Sequence, residues 1–384
     1  MAKRCDLAII NRSFWPKSKI LGEALLQLAE KLAENNKVCV ITQADVDLQM
    51  ELNKVGRGGN VVFKACEARS NSATHLVWRM VDAVIFMFWT FWSLVLTRPK
   101  KVYVSTDPPV LVPFIVFIYA KLFRAQYVYH LQDIHPEAAN IIIPLNKWVY
   151  KLLRGLDAMV MRRATSLVTL TDTMRSVIVE RSNTQAPIYL VDNSAVFEET
   201  RKNTDGRQPG LVFTGNVGRL QRIPLLLDAI KAYYQQGGNL PFVFAGGGVF
   251  SNDIAKLADA FEQMSYLGVL SPTEAQALNQ RYEWALLPID DEVTKYAFPS
   301  KSSAYLVAGV SILSICSEDT AVAKWVSENG YGFNVAPNKT ELVKAFFALE
   351  RRKIKPVQFD NRALKQKLSI KSFVDSLARI ISEK

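Results

Sequence analysis

Two α/β halves, each built on a parallel sheet, are what this sequence predicts, and three observations carry that expectation. The chain has 384 residues, 49% of them hydrophobic, which suffices for two cores at the usual ~100–200 residues per domain. Short apolar, β-favouring runs alternate with stretches of helical periodicity along its whole length, the rhythm of βαβ units. One polar stretch, Glu198–Pro209 (EETRKNTDGRQP), has no apolar periodicity and interrupts the rhythm as a linker would. The expected division is therefore a first domain over 1–197, a linker over 198–209 and a second domain over 210–360. Residues 361–384 are expected to form an amphipathic helix that returns to the first domain.

Leu7–Asn11 reads as the first buried strand, Ile20–Glu34 as a helix with Leu21, Leu25, Leu28 and Leu32 on one side, and Lys37–Thr42 as the second strand. The loop between them, ending PKSKILG, lacks the glycine fingerprint of a dinucleotide site, which excludes the usual nicotinamide enzymes. The apolar run at the N-terminus is too short for a signal peptide. Val61–Ala65, Val102–Ser105, Tyr127–Leu131 and Leu167–Leu170 read as further strands. Between them lie two very apolar helical runs, Ala83–Leu96 and Val110–Phe123. Both fall short of the ~20 residues a membrane span needs, so a transmembrane helix is not expected. In the second half, strands are expected at Leu211–Phe213, Phe242–Ala245, Tyr266–Leu270, Ala285–Ile289 and Ser311–Ile315. Cys5, Cys39, Cys66 and Cys316 form no CxxC pair and read as reduced thiols of a cytosolic protein.

A net charge of +11 calls for an anionic partner, either a membrane surface or a phosphorylated substrate. No basic block or nucleic-acid motif is present, so nucleic acid is set aside. Lys147–Arg163 carries Lys147, Lys151, Arg154, Arg162 and Arg163 with Trp148 and Tyr150 among them. A solvated surface helix would read the same way. With two unusually apolar helices in the same half, contact with an anionic membrane is the preferred reading, through Lys147, Trp148, Lys151, Arg154, Arg162 and Arg163.

Two stretches point to phosphate. In LVFTGNVGRLQR a strand runs into Gly215, Asn216 and Gly218, and a helix begins near Pro224. Such a turn is expected to present backbone N–H groups and a helix N-terminus to an anion, with Arg219 and Arg222 adding fixed charge. In FPSKSSAYLVAG, Pro299 sets a turn, Ser300 is placed to cap the next helix, and Lys301 stands at its start. Gly246 and Gly247, in the triple glycine after a predicted strand, open the same edge of the sheet.

The second half resembles the donor domain of family 4 glycosyltransferases, retaining enzymes of the GT-B fold, through FTGNVGRLQ, FAGGG, YLGVLSPTEAQALNQRYEWALLPI and FPSKSSAYLVAGVSIL. The first half resembles the bacterial branch that builds O-antigens, capsules and exopolysaccharides, through VYVSTDPP and HLQDIHPEAAN. The resemblance implies two Rossmann-like domains facing a cleft. It also implies transfer of a sugar from a UDP- or GDP-sugar with retained anomeric configuration, and neither a metal nor another cofactor. The implied acceptor is a polyprenyl-linked saccharide, met by a peripheral protein on the cytoplasmic face of the inner membrane. The donor diphosphate would rest on Gly215, Asn216, Gly218 and Arg219, with Lys301 as second cation and the base near Gly268, Val269 and Leu270. Two glutamates common in relatives are replaced here by Tyr296 and Ala304, and Gln132 stands where many relatives have a catalytic histidine. Asp133 and His135, with Glu137 beside them, become the acceptor-side candidates, Asp133 as the base or orienter of the hydroxyl. The competing reading of Asp133 is a helix cap with Pro136 at the first helical position, and His130 reads as a core histidine. A GT-B nucleotide-sugar epimerase and a catalytically silent GT-B binding protein are the alternatives.

Overall fold

The computed structural model describes residues 4–69, 76–195 and 206–383. It divides into two compact units, residues 1–194 with 370–384, and residues 195–369. In chain order the first unit comprises β1 (Leu7–Ile10), α1 (Leu21–Ala33), β2 (Val38–Ala44), α2 (Leu48–Lys54), β3 (Val61–Glu67), α3 (Leu76–Thr97), β4 (Lys101–Ser105), α4 (Leu111–Phe123), β5 (Gln126–His130), α5 (Glu137–Ile142), α6 (Lys147–Arg163), β6 (Ser166–Thr169), α7 (Asp172–Ser182) and β7 (Ile188–Leu190). The second comprises β8 (Gln208–Thr214), α8 (Ile223–Gln235), β9 (Phe242–Ala245), α9 (Ser251–Ala260), β10 (Met264–Tyr266), α10 (Pro272–Arg281), β11 (Tyr282–Pro288), α11 (Lys301–Ala308), β12 (Ser311–Ile315), α12 (Ala321–Glu328), β13 (Gly332–Val335), α13 (Lys339–Glu350) and α14 (Asn361–Lys367). The last helix, α15 (Ile370–Ser382), belongs to the first unit.

The first sheet is parallel throughout, in the order β3-β2-β1-β4-β5-β6-β7. The period-two alternation of its strands sorts their side chains between two faces. Ile9, Val38, Val40, Tyr103, Val128 and Val168 form one core with Leu25 and Leu28 of α1 and Phe373, Leu377 and Ile381 of α15. Tyr127 and Tyr129 point the other way, where their hydroxyls donate to Val160 O (2.6 Å) and Asp157 Oδ1 (2.7 Å) of α6. The second sheet is also parallel, in the order β10-β9-β8-β11-β12-β13. Its core joins Leu211, Phe213, Phe242 and Phe244 to Leu226 and Ile230 of α8 and Leu342 and Phe346 of α13. In each sheet the strand order reverses beside the first strand of the unit, β1 or β8. Ligands of open α/β sheets bind beyond the carboxyl ends of the strands at such a reversal.

Several elements depart from the sequence reading. The apolar run at Ala83–Leu96 is the middle of α3, and a 20-residue window, Trp78–Thr97, is long and apolar enough to cross a membrane by length and composition. The helix runs on through Arg79 and Asp82; Asp82 is buried and accepts from Gln43 Nε2 at 3.0 Å, so its charge interrupts nothing. Only 33% of that window is buried, where the helix packs on β2, β3 and α4. β10 stops at Tyr266, short of the strand expected through Leu270, because Gly268 takes positive φ (+66°). β8 begins at Gln208, inside the stretch read as a linker, whose residues 198–205 lie outside those described. Residues 361–384 hold two helices, α14 and α15, rather than one.

Candidate functional site

The second unit gathers most of the expected phosphate-binding residues at the carboxyl ends of β8, β9 and β10. The turn after β8 lies directly on the turn after β9. A Cβ added to Gly246 (φ +141°) would fall 1.8 Å from Gly215 O, so no side chain fits there. Gly215 N–H donates to Ala245 O (2.9 Å), Val217 N–H to Gly247 O (3.1 Å) and Gly246 N–H to Gly268 O (2.7 Å). Tyr266 Oη donates to Gly246 O (2.7 Å), and the Val269 side chain reaches Gly247. Leu270 closes the same loop.

This knitting corrects the expectation of outward-facing amides. Three of the N–H groups join loop to loop, and Gly218 N–H donates to Gln221 Oε1 (3.0 Å). The cations beside the turn differ among themselves. Arg219 opens a short 3₁₀ turn over Arg219–Gln221 and is exposed; it makes no ion pair among the described residues. Arg222, expected beside it, is already neutralised. Its guanidinium pairs with Asp291 (3.0 Å), its Nε donates to Ile289 O (2.8 Å), and Asp291 is in turn held by Ser317. Arg222 therefore fastens the glycine turn to the end of β11.

Ser300 occupies the N-cap position of α11 but makes no side-chain cap bond, while Pro299 shapes the approach. Lys301 is not the solvated lysine that such a helix start allows. Its Nζ is buried without a hydrogen-bond partner and sits 3.6 Å from the centroid of the Phe213 ring. A Cβ on Gly215 would lie 3.8 Å from it. Burial pushes its pKa down to about 7. One turn on, Tyr305 ties α11 to the sheet: its hydroxyl donates to Leu286 O (3.1 Å) and accepts from Thr214 N–H (3.2 Å). Phe213 and Tyr305 were not anticipated. Phe213 stands two residues before Gly215, at the end of the strand, and that placement was the available signal.

The acceptor-side candidates lie in the first unit, in the loop after β5. Burial pushes the Asp133 carboxyl up to about 6. The His135 imidazole is pushed down to about 4, by burial first and by Arg181 second, and its Nδ1 is buried without a partner. Asp133 does not cap α5. Pro136 takes the N-cap position, and no side chain bonds the helix start. Glu137 is a framework residue. Its carboxylate accepts from Arg154 Nε (3.0 Å) and from Arg181 Nη1 (2.8 Å), and Arg181 Nη2 reaches Asp157 Oδ2 (2.6 Å). His130 is fully buried, with Nδ1 2.6 Å from Tyr103 Oη.

The six residues expected at a membrane divide. Lys147, Trp148, Lys151 and Arg163 are exposed, and Trp148 is 82% exposed. Arg154 is drawn to Glu137, and Arg162 Nε donates to Ser182 O (2.7 Å), so both attach α6 to its neighbours. Among the described residues, no group of three His, Cys, Asp or Glu side chains is placed to hold a metal ion.

No family model matches the chain. It is 26% identical over 278 residues to "Probable glycosyltransferase WbjE" of Pseudomonas aeruginosa, covering 67% of this chain and 68% of that protein. Among solved structures it is similar to HepE of Anabaena, crystallised in complex with UDP. That match has a TM-score of 0.66 and 12% identity, and covers 98% of this chain and 99% of HepE. It is also similar to WaaG, a glycosyltransferase involved in lipopolysaccharide biosynthesis, with a TM-score of 0.62 and 12% identity over 98% of this chain and 100% of WaaG. The chain thus has the GT-B fold and is similar in sequence to a probable glycosyltransferase.

Proposed function

We propose that the protein transfers a sugar, with retention of configuration, from a nucleoside-diphosphate sugar to a lipid-linked saccharide in bacterial surface polysaccharide synthesis. The carrying observation is the buried, unpartnered Nζ of Lys301 beside the Gly215 turn. An amine left without a partner in a buried position is costly, and a diphosphate oxygen would satisfy it. Arg219, exposed at the mouth of the same turn, supplies the second cation. As the glycosidic bond breaks, the leaving diphosphate gains charge, and cations already in place stabilise it. The loop Gly268–Leu270, bonded to the diphosphate turns through Gly246, is the expected seat of the base. HepE, a fold relative, is known with UDP bound, and UDP is the first donor nucleotide to test.

The first unit serves the acceptor in this reading. Asp133, free of any capping role, orients or deprotonates the acceptor hydroxyl, and its raised pKa brings it nearer to the working pH of a base. The approach is from an anionic membrane on the cytoplasmic side. Trp78, Phe88 and Trp92 of α3, Leu122 of α4, and Trp148 and Leu152 of α6 are each 60% exposed or more. Lys147, Lys151 and Arg163 supply positive charge along α6. The buried Asp82 and the contacts of α3 with β2 and β3 favour a helix lying on the bilayer over one crossing it.

The test is a pair of substitutions. Arg219→Ala and Lys301→Ala are each expected to weaken UDP or GDP binding and to cut sugar transfer on the order of 100-fold or more. Wild-type affinity in both variants would reject the donor site.

A further inference from the structure

We infer that a nucleoside diphosphate enters the second unit together with one proton from solvent, which converts the Lys301 amine into the ammonium that pairs with the diphosphate. This rests on the donor-site reading above and adds to it a coupling between donor binding and pH.

The geometry sets Lys301 apart from the other basic groups of the turn. Arg219 is exposed, and Arg222 is held by Asp291 and Asp290. Both keep their charge with or without ligand, since a guanidinium is not deprotonated in proteins. Lys301 has no such support. Its Nζ is buried, makes no hydrogen bond among the described residues, and lies against the face of Phe213. An aromatic face compensates an ammonium only in part, and burial penalises the charged form. Among the described residues no charged neighbour offsets this. From β8 it meets Phe213 and Gly215, and on its own helix Tyr305 spends its hydroxyl on Leu286 and Thr214. The charged side chains of the elements packed on α11 are Glu274 and Arg281 of α10, Glu283 of β11, and Arg362, Lys365 and Lys367 of α14. None of them shifts it; burial is the sole cause. Its amine is therefore neutral in a growing fraction of molecules as pH rises above about 7.

A diphosphate oxygen beside Nζ reverses the balance, because it favours the ammonium by direct charge pairing and by a charge-assisted hydrogen bond. Binding then raises the pKa of Lys301 and takes up the proton that the empty site lacked. The sign follows from linkage. Where the complex holds one proton more than the free protein, affinity falls as pH rises, by up to about tenfold per pH unit.

The measurement is calorimetric titration of the full chain with UDP, and separately with GDP, at about pH 8.5 in two buffers of different ionisation enthalpy. A terminal phosphate with an ionisation near ~6 is fully charged there, so proton uptake reports on the protein. Uptake approaching ~1 proton per nucleotide is expected, with a Kd about tenfold weaker at pH ~8.5 than at pH ~7.5. In Lys301→Met the uptake should vanish and the weaker Kd should no longer change over that interval. Binding by wild-type protein without uptake, or with a Kd unchanged by pH, overturns the inference and leaves the donor site standing. Uptake that persists in Lys301→Met assigns the proton elsewhere and overturns it as well. Failure of both nucleotides to bind removes the donor site itself, and this inference with it.

Discussion

In the first unit a buried cation is paired through both of its terminal nitrogens. Arg181, 1% exposed at its side chain, bridges Glu137 and Asp157, and Tyr129 and Arg154 complete the network. In the second unit a buried amine has no hydrogen-bond partner among the described residues: Lys301 rests on a phenylalanine ring. The same sequence thus handles one expensive feature in two ways. A buried charge with its complement in place is framework, and its removal leaves the complement stranded. A buried charge without a complement lowers stability in the empty protein and is kept where a ligand completes it, a common position for functional groups.

The largest expected effect tests the framework side. Arg181→Met strips Asp157 of its cation and Glu137 of one of two, and should destabilise the first unit by about 3–5 kcal/mol in urea melts. Unchanged stability would dissolve the contrast. Next come the charges α6 leaves exposed. Replacing Lys147, Lys151 and Arg163 by glutamate should release the protein from anionic vesicles, at about 1 kcal/mol per charge near the surface. Binding of the wild type should itself weaken with salt. Arg154 is left out of this set because it belongs to the Glu137 network, and Arg154→Glu should lower stability instead. Asp133→Asn sharpens the acceptor side: the fold and UDP binding should survive while transfer drops about 100-fold. Wild-type transfer should also fade as pH falls below about 6, where the carboxyl takes up its proton. The smallest effect is the most discriminating. Lys301→Met should weaken donor binding yet raise the melting temperature of the ligand-free protein, by about 2–4 °C per kcal/mol in a domain of this size. Its folded pKa is lowered to about 7 from 10.5. The unfolded chain therefore binds more protons between those values, and wild-type stability should climb with pH across that window. A melting temperature that falls in Lys301→Met would mean the amine is satisfied after all.

Strands were the most legible part of the fold, because buried parallel strands are near-continuous apolar runs. Phe242–Ala245 and Ser311–Ile315 were read to the residue. α2, β7 and β13 escaped notice, being short and half exposed, with little periodicity to see. The glycine turns were visible as composition, but not the contact that makes Gly246 obligatory, since it joins residues from different strands. Charges were the least legible. In the sequence Arg154, Arg181, Arg222 and Lys301 are similar cations. One is half exposed on a carboxylate, one fully enclosed by two, one spent on Asp291 and one unpartnered. Those differences are set by partners distant in sequence.

The place of α15 bears on how the protein is made. Phe373, Val374, Leu377, Ile380 and Ile381 fill the same core as Ile9, Val40 and Val128, and Phe373 lies 6.0 Å from the His130 ring. A ribosome delivers the whole second unit before it delivers this helix. Domains emerging from the ribosome ordinarily fold first at the N-terminal end. Here the nascent first unit waits with one side of its sheet uncovered until α15 has been made, while the second unit can fold uninterrupted in between. Exposed apolar surface in that interval is an opening for chaperones and for aggregation alike.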